Sequence, residues 1–177
     1  MFLPSHLASG YILGQFVKRP LWTISPFMPV LLIASILPDV DGLFSTTVAG
    51  HHTILHTPIF WVILFGGMIL IQKWKKMEIL NPVSLGIFLG AQLHLITDWF
   101  TARTVGIQWL YPLSQKNYFL FQIHPEKGQG SIWEMVQTPY FSFYMENAFL
   151  FWVEIGVIFV AMSLMLTNIL YDKISIK

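Results

Sequence analysis

The chain has 177 residues, of which 55% are hydrophobic and only 11% are charged, and its mean hydropathy is +0.62. Soluble domains carry about 25% charged residues, so this composition predicts a membrane protein, with residues 1–177 forming one domain. The net charge of +1 predicts no nucleic-acid partner, and the lack of Cys excludes disulfides and thiolate metal sites. Any metal must therefore be bound through nitrogen and oxygen.

Five apolar segments are candidates for membrane helices. Their approximate ranges are 5–17, 24–37, 54–72, 82–100 and 148–170. A spanning helix needs about 20 residues, and the fifth segment alone reaches that length without counting histidines. Because the first two segments are short, we expect an all-α polytopic membrane protein with about four to five membrane helices. The partner of these helices is the lipid bilayer.

Residues 101–147 differ from the rest of the chain because prolines, glycines and many aromatic side chains interrupt any long apolar run. Aromatic side chains of this kind settle at the depth of the lipid headgroups. We therefore expect an extracytoplasmic loop with short interfacial helices, in a position to cover a site at the membrane surface.

Basic residues predict which ends of the segments face the cytoplasm. If all five segments cross the membrane, seven basic residues lie inside and three lie outside. The inside set is Lys18, Arg19, Lys73, Lys75, Lys76, Lys173 and Lys177, and the outside set is Arg103, Lys116 and Lys127. This arrangement places the chain in the plasma or inner membrane as a multi-pass protein.

Metal-capable side chains are concentrated at the predicted outer ends of the first four segments. They are His6, Asp39, Asp41, His51, His52, His56, His94 and Asp98. Imidazoles and carboxylates are ligands for divalent metals, and they are costly to place near a bilayer. The sequence therefore predicts one metal site on the extracytoplasmic face.

Two glycine ridges indicate how distant ligands come together. His6, Gly10 and Gly14 are spaced by four residues in the first segment, and Gly86, Gly90, His94 and Asp98 are spaced by four in the fourth. Ridges of small residues let two membrane helices approach closely. We expect these two helices to pack together and to bring His6 beside His94 and Asp98.

Local spacing leaves several roles open. On one helical face His94 and Asp98 either bind one ion together or let Asp98 bridge two ions. His56 pairs with His52 if one helix includes both, or with His51 if His51 lies in the preceding turn. Pure pH-sensing histidines are the alternative interpretation.

The acidic turn and two other charged residues also have two interpretations each. Either Asp39 or Asp41 ligates an ion while the other holds a water or a His N–H, or the pair simply marks a turn. Arg103 either clamps a substrate phosphate or anchors at the headgroups. Glu154, in the last segment, is either functional or extends outward to water.

In combination these motifs resemble the membrane-bound metal-dependent hydrolases of bacterial inner membranes. The matching stretches are Ser5–Gly10, Pro38–Asp41, His51–Thr57, His94–Asp98 and Gly106–Pro112. The resemblance implies ligation by His6, His51, His56, His94 and Asp98, with Asp39 or Asp41 as ligand and general base. It leaves out His52, because that family usually has Arg at this position.

That family is similar in turn to the zinc-dependent phospholipase C and single-strand nuclease group, which binds three metals. The late second set of ligands in that group is missing from this sequence after residue 98. The resemblance therefore implies one or two divalent ions, zinc first and manganese or magnesium as alternatives. It also implies hydrolysis of a phosphoester or lipid-linked substrate; the alternative is a non-enzymatic metal-binding or transport protein.

Overall fold

The computed structural model describes residues 1–17, 26–77, 81–131, 133–134, 137 and 140–175. Within these residues the secondary structure is helical apart from one isolated antiparallel bridge between Ile107 and Tyr118. The α-helices are α1 Leu3–Val17, α2 Phe27–Ala34, α3 Pro58–Trp74, α4 Pro82–Thr101, α5 Tyr140–Glu146 and α6 Ala148–Ser175, and the 3₁₀ helices are Leu37–Phe44, Ile54–His56 and Pro125–Gly128.

The predicted all-α membrane class is confirmed. In the described part of the chain, three stretches are long and apolar enough to cross a membrane: Phe27–Phe44, Pro82–Thr101 and Ala148–Ile174. The helices α1 and α3 are shorter, with 15 and 17 residues. The described residues therefore contain three candidates of full length, compared with the four to five membrane helices that were expected.

The stretch Phe27–Phe44 is not one straight helix. Its α-helical part, α2, has 8 residues and rises about 12 Å, far less than the hydrocarbon core of about 30 Å. After Ala34 the chain turns and continues as the 3₁₀ helix Leu37–Phe44, which carries Asp39 and Asp41. Lys18, Arg19 and Lys177, which contribute to the predicted topology, lie outside the described residues.

Both glycine ridges are used in packing, but they face α2 rather than each other. A Cβ placed on Gly90 would lie 2.6 Å from Ala34 Cβ, and one placed on Gly10 would lie 2.8 Å from Ser35 Oγ. The helices α1 and α4 do meet, as expected, where His6 lies against His94 and Asp98, but their glycines contact α2 and the residue after it. The short helix α2 packs between them, and its small residues still allow His6 and His94 to meet at its end.

The remaining helices complete the frame around this centre. A core of Trp61, Ala91, Leu95 and Ile107 joins α3, α4 and the loop that follows α4. On the other side α6 packs against α1, where Asn168 donates hydrogen bonds to the side-chain oxygens of Tyr11 and Gln15. The ligand-bearing ends of α1, α2 and α4 are thus held from both sides.

The segment after Thr101 is largely a loop, with a 3₁₀ helix and α5 within it. It folds back onto the ligand-bearing loop, because Val48 N and Ala49 N donate to the carbonyl oxygens of Gly130 and Gly128 at 2.9 and 2.8 Å. Gly128 is required at this contact, since a Cβ there would lie 3.0 Å from Ala49 Cβ. The loop therefore forms part of the wall of the site.

Candidate metal centre

Five of the six histidines converge with two carboxylates at one end of the helices. The residues come from α1, the 3₁₀ helix after α2, the loop before α3, and α4. They are His6, Asp39, His51, His52, His56, His94 and Asp98. The exposed side chain of His124 lies apart, 3.1 Å from Glu126.

The helical spacing of α4 places Asp98 at the middle of this group. Asp98 Oδ2 lies 3.0 Å from His94 Nε2, one turn earlier, and 3.6 Å from His56 Nε2. Asp98 Oδ1 lies 3.1 Å from His6 Nε2 and 2.6 Å from the main-chain nitrogen of Met1. The two oxygens therefore face different sets of nitrogen atoms, which is the arrangement that a bridging carboxylate requires.

The second carboxylate of the centre belongs to Asp39. Asp39 Oδ1 lies 3.5 Å from His94 Nε2, 3.6 Å from His56 Nε2 and 3.8 Å from His51 Nε2. With 22% of its side chain exposed, Asp39 is the more accessible of the two acids, since the side chain of Asp98 is 5% exposed. Asp39 therefore lies between the buried ligands and the cavity.

Each of the five imidazoles is held at Nδ1 by an oxygen and directs Nε2 into the centre. The Nδ1 partners are Thr97 Oγ1 for His6, Val48 O for His51, Gly106 O for His52, Asp41 Oδ2 for His56 and Ser35 O for His94. Backbone and carboxylate oxygens can only accept, so they fix the proton on Nδ1, and Thr97 also accepts because its hydroxyl donates to backbone oxygens of α4. Each Nε2 lone pair is then free to bind a metal.

The spacing of four inward atoms matches the coordination of one ion. His56 Nε2 and His94 Nε2 are 3.2 Å apart, and their distances to Asp39 Oδ1 and Asp98 Oδ2 are 3.0–3.6 Å. Ligands about 2.0–2.2 Å from a tetrahedral zinc ion stand about 3.3–3.5 Å from one another. Two imidazole lone pairs at this distance repel each other unless a proton or a metal ion lies between them.

His51, His52 and His56 form a second group whose ring nitrogens lie within 4.8 Å of one another. His52, which the resemblance leaves out, belongs to it: its Nε2 lies 3.8 Å from Asp98 Oδ2 and its ring stacks on His56 at 4.1 Å. The four-residue spacing from His52 to His56 was the available signal. The structure therefore adds His52 to the candidate ligands.

Burial and neighbouring charges set the protonation of this loop. Burial, assisted by the neighbouring ring of His56, lowers the pKa of His51 and His52, so both rings are neutral at pH 7, the form that binds metals. Burial also opposes the charged form of His56, but the surrounding carboxylates outweigh it and raise the pKa of His56 well above its usual value. The carboxylates thus stabilise a positive charge at this position, whether it is a proton or a metal ion.

Asp41 occupies a different position from Asp39. Its Oδ2 accepts from His56 Nδ1 at 3.1 Å and from Thr53 Oγ1 at 2.7 Å, behind the imidazole rather than in front of it. The prediction that Asp41 is itself a ligand is not supported by this geometry. The alternative interpretation, that one of the two acids holds a His N–H, describes Asp41.

The side chains of Arg103 and Glu154 are both buried, with 7% and 3% of their surface exposed. Arg103 therefore does not anchor at the lipid headgroups, and Glu154 does not extend outward to water. Arg103 Nη1 donates to Glu154 Oε1 at 2.8 Å and to Thr101 O at 3.1 Å. The guanidinium also stacks 3.7 Å above the ring of Tyr144. The other oxygen of Glu154 accepts from Phe2 N at 2.9 Å, which ties α6 to the start of α1.

A cavity of about 350 Å³ connects Arg103 with the histidine cluster. Its polar side includes Asp39, Asp98, His51, His52 and Arg103. The structure therefore brings every predicted site residue except Asp41 to one buried centre or to the cavity beside it, and Asp41 supports that centre from behind.

Comparison with known proteins identifies the family. No curated protein and no solved structure matches the chain significantly. The model of one family, described as YdjM inner membrane protein, matches residues 1–172. A membrane location agrees with the apolar helices of the structure. The chain belongs to the YdjM inner membrane protein family.

Proposed function

We propose that this chain is a membrane-bound metal-dependent hydrolase that cleaves a phosphoester or another lipid-linked bond at the outer face of the membrane. The observation that best supports the proposal is the group of four inward atoms from Asp39, His56, His94 and Asp98. Their spacing suits a tetrahedral ion, and the Nδ1 atoms of His56 and His94 are held by hydrogen bonds to Asp41 and to the carbonyl oxygen of Ser35.

The donor set fits zinc best. Imidazole nitrogens combined with carboxylate oxygens are typical zinc ligands, whereas magnesium prefers a shell of oxygens. His51 and His52, which form a group with His56, would provide ligands for a second ion. Asp98, which presents Oδ1 to His6 and Oδ2 to both His52 and His94, would then be placed to contribute to either ion.

A bound divalent ion would lower the pKa of a coordinated water to about 7 and polarise the scissile group. Asp39 borders the cavity and is the more exposed acid, so it is the ligand that would give up its position to the attacking water and accept the proton of that water. Asp41 keeps the ring of His56 in its ligating orientation. Arg103, at the other end of the polar side of the cavity, binds the anionic group of the substrate.

The outer-face assignment rests on the distribution of basic residues. Single cysteines test it directly, because the chain has no native Cys. Thr46→Cys, in the ligand-bearing loop, is expected to react with a membrane-impermeant maleimide added outside intact cells, and Lys75→Cys only after permeabilisation. Reaction of both variants from the same side would refute this topology.

Metal analysis combined with an ester screen tests the enzymatic proposal. Purified wild-type protein is expected to retain one or two divalent ions per chain and to hydrolyse phosphodiesters or phospholipids with Zn²⁺, Mn²⁺ or Mg²⁺. Asp98→Asn should lose both properties, while Asp172→Asn, an exposed carboxylate outside the centre, should lose neither.

Three results contradict the proposal in different ways. Equal, sub-stoichiometric metal in the wild type and in Asp98→Asn would show that the centre is not a metal site. Stoichiometric metal without hydrolysis of any ester would favour the metal-binding or transport alternative. Hydrolysis that survives Asp98→Asn would place the catalytic site elsewhere in the chain.

A further inference from the structure

The cavity beside the metal centre has two chemically different sides. The polar side carries the metal-facing residues and Arg103. The lining also includes the apolar side chains of Phe2, Leu3, Leu43, Val48, Val105 and Trp133. A ligand that has both an anionic group and an apolar part matches this lining.

The apolar side continues out of the cavity to the protein surface. Leu3, Leu43 and Trp133, which line it, are 48%, 64% and 72% exposed, and the adjacent Phe44 is 85% exposed. These residues come from the start of α1, the 3₁₀ helix after α2, and the loop after α4. In a protein whose helices lie in a membrane, such a group of exposed apolar side chains contacts lipid. The cavity therefore opens toward the bilayer.

The polar end of the same cavity is suited to an anion. Arg103 Nη1 is occupied by Glu154, while Nε and Nη2 are buried and have no hydrogen-bond partner among the described residues. The Nε and Nη2 edge of arginine is the one that grips phosphate or carboxylate with two parallel hydrogen bonds. Glu154 and Tyr144 hold the guanidinium from its other sides, so this edge is the part left for a ligand.

We propose that the cavity takes a membrane amphiphile, a phosphate ester with an apolar chain, that enters sideways from the bilayer. The phosphate lies between the metal centre and Arg103, and the first carbons of the chain lie against Leu43, Val48 and Trp133. The volume of about 350 Å³ is near the lower end for ligand sites, so it holds the phosphate and the start of the chain only. The rest of the chain stays in the membrane.

This inference rests on the proposed hydrolase function, but chain-length dependence tests it separately. Phosphodiesters with one headgroup and alkyl chains of increasing length are assayed in bicelles with purified protein and Zn²⁺. Because each buried methylene strengthens binding several-fold, kcat/KM is expected to rise about tenfold or more over the first few carbons and then level off. A wild-type enzyme indifferent to chain length would overturn the proposal.

Substitution of an exposed apolar residue that lines the cavity provides a second test. Leu43→Glu places a charge in the path of the chain and is expected to abolish the gain from chain length. Leu113→Glu, at a residue that is 93% exposed and does not line the cavity, is the matched control and should keep the gain. Equal behaviour of the two variants would contradict a chain-binding rim.

A binding measurement keeps the inference testable even if no ester is cleaved. Hexadecylphosphonate is expected to raise the thermal unfolding temperature of the wild-type protein more than methylphosphonate does, and Leu43→Glu should erase the difference. If the two phosphonates act alike on the wild type, the lateral chain site is wrong whatever the catalytic result. Absence of hydrolysis together with a chain-dependent shift would reject the enzyme and keep the site.

Discussion

Two buried polar clusters border the same cavity: one has an excess of hydrogen-bond acceptors and the other has an excess of donors. The histidine cluster has too many acceptors: every Nδ1 proton is used by an oxygen behind the ring, and the Nε2 lone pairs face two carboxylates. The Arg103 cluster has unused donors, because Glu154 satisfies only one end of the guanidinium. One cluster therefore attracts a cation and the other an anion.

The contrast shows two ways in which a largely apolar protein accommodates buried charged side chains. A buried ion pair such as Arg103–Glu154 roughly compensates its own desolvation, so it can be carried by the membrane-associated helix α6. The histidine cluster has one internal cation, the main-chain nitrogen of Met1 beside Asp98, and its other carboxylate, Asp39, must obtain a positive charge from protons or from metal. Together the two clusters are complementary to a metal ion with an anionic ester bound to it.

The largest expected effect comes from removing an inward nitrogen. His94→Ala deletes one vertex of the four-atom group and should weaken metal affinity by more than about 100-fold, since losing a mere supporting contact already costs about 10–100-fold. Elemental analysis after dialysis against a weak chelator measures it. His124→Ala removes an exposed imidazole outside the cluster and should leave the metal content at the wild-type value. Equal loss in both variants would mean that metal is not held by this cluster.

Changing the support of one imidazole should have the next largest effect. Asp41→Asn keeps the size of the side chain but weakens its hold on the Nδ1 proton of His56, so metal affinity should fall by about 10–100-fold. Competition with a chromogenic chelator measures the change. If Asp41→Asn lowers affinity as much as His94→Ala does, then Asp41 binds the ion directly and its position behind His56 is misleading.

A substitution in the Arg103 cluster should affect substrate binding and leave metal binding unchanged. Arg103→Lys keeps a positive charge beside Glu154 but removes the two-pronged edge, so KM for phosphate esters should rise about tenfold with unchanged metal content. Steady-state kinetics and elemental analysis separate the two effects. Lys127→Arg, in the exposed pair with Glu146, is the control. A fall in kcat with unchanged KM would argue against a role for Arg103 in binding the substrate.

The part of the site that sequence could predict is the part fixed by helical geometry. His94 and Asp98 lie one turn apart in α4 and meet at 3.0 Å, as their spacing requires. The approach of His6 was also predicted, although through a direct contact of the ridges of α1 and α4 rather than through α2. Regular spacing within a helix gives contacts, but it does not tell which third helix lies between two others.

The rest depends on contacts between residues far apart in the chain. The choice between Asp39 and Asp41 is made by the register of a 3₁₀ helix, which a proline-containing turn does not reveal. His52 is oriented by the carbonyl oxygen of Gly106, 54 residues later, and Arg103 is held by Glu154, 51 residues later. Such partners follow from tertiary packing of the loop and α6, for which the sequence offers no periodic signal.

The smallest effect is expected where the fold, rather than a ligand, sets the geometry of the metal cluster. A Cβ on Gly90 would lie 2.7 Å from Leu31 O and 2.9 Å from Ser35 N, which are backbone atoms that cannot rotate away. Gly90→Ala should therefore destabilise the protein by about 1–3 kcal/mol. It should also weaken metal binding slightly, because Ser35 O accepts the hydrogen bond that orients His94.

Gly66→Ala is the matched control for this change, since nothing lies within 4 Å of the added carbon on α3. It should be neutral or slightly stabilising, because alanine favours a helix over glycine by up to about 1 kcal/mol. Thermal unfolding in detergent, with and without added zinc, compares the two variants. Because Arg103 does not depend on the contact between α2 and α4, KM of Gly90→Ala at saturating zinc should equal that of the wild type. A raised KM would show that the two clusters are coupled through α4, and it would contradict the conclusion that they act independently.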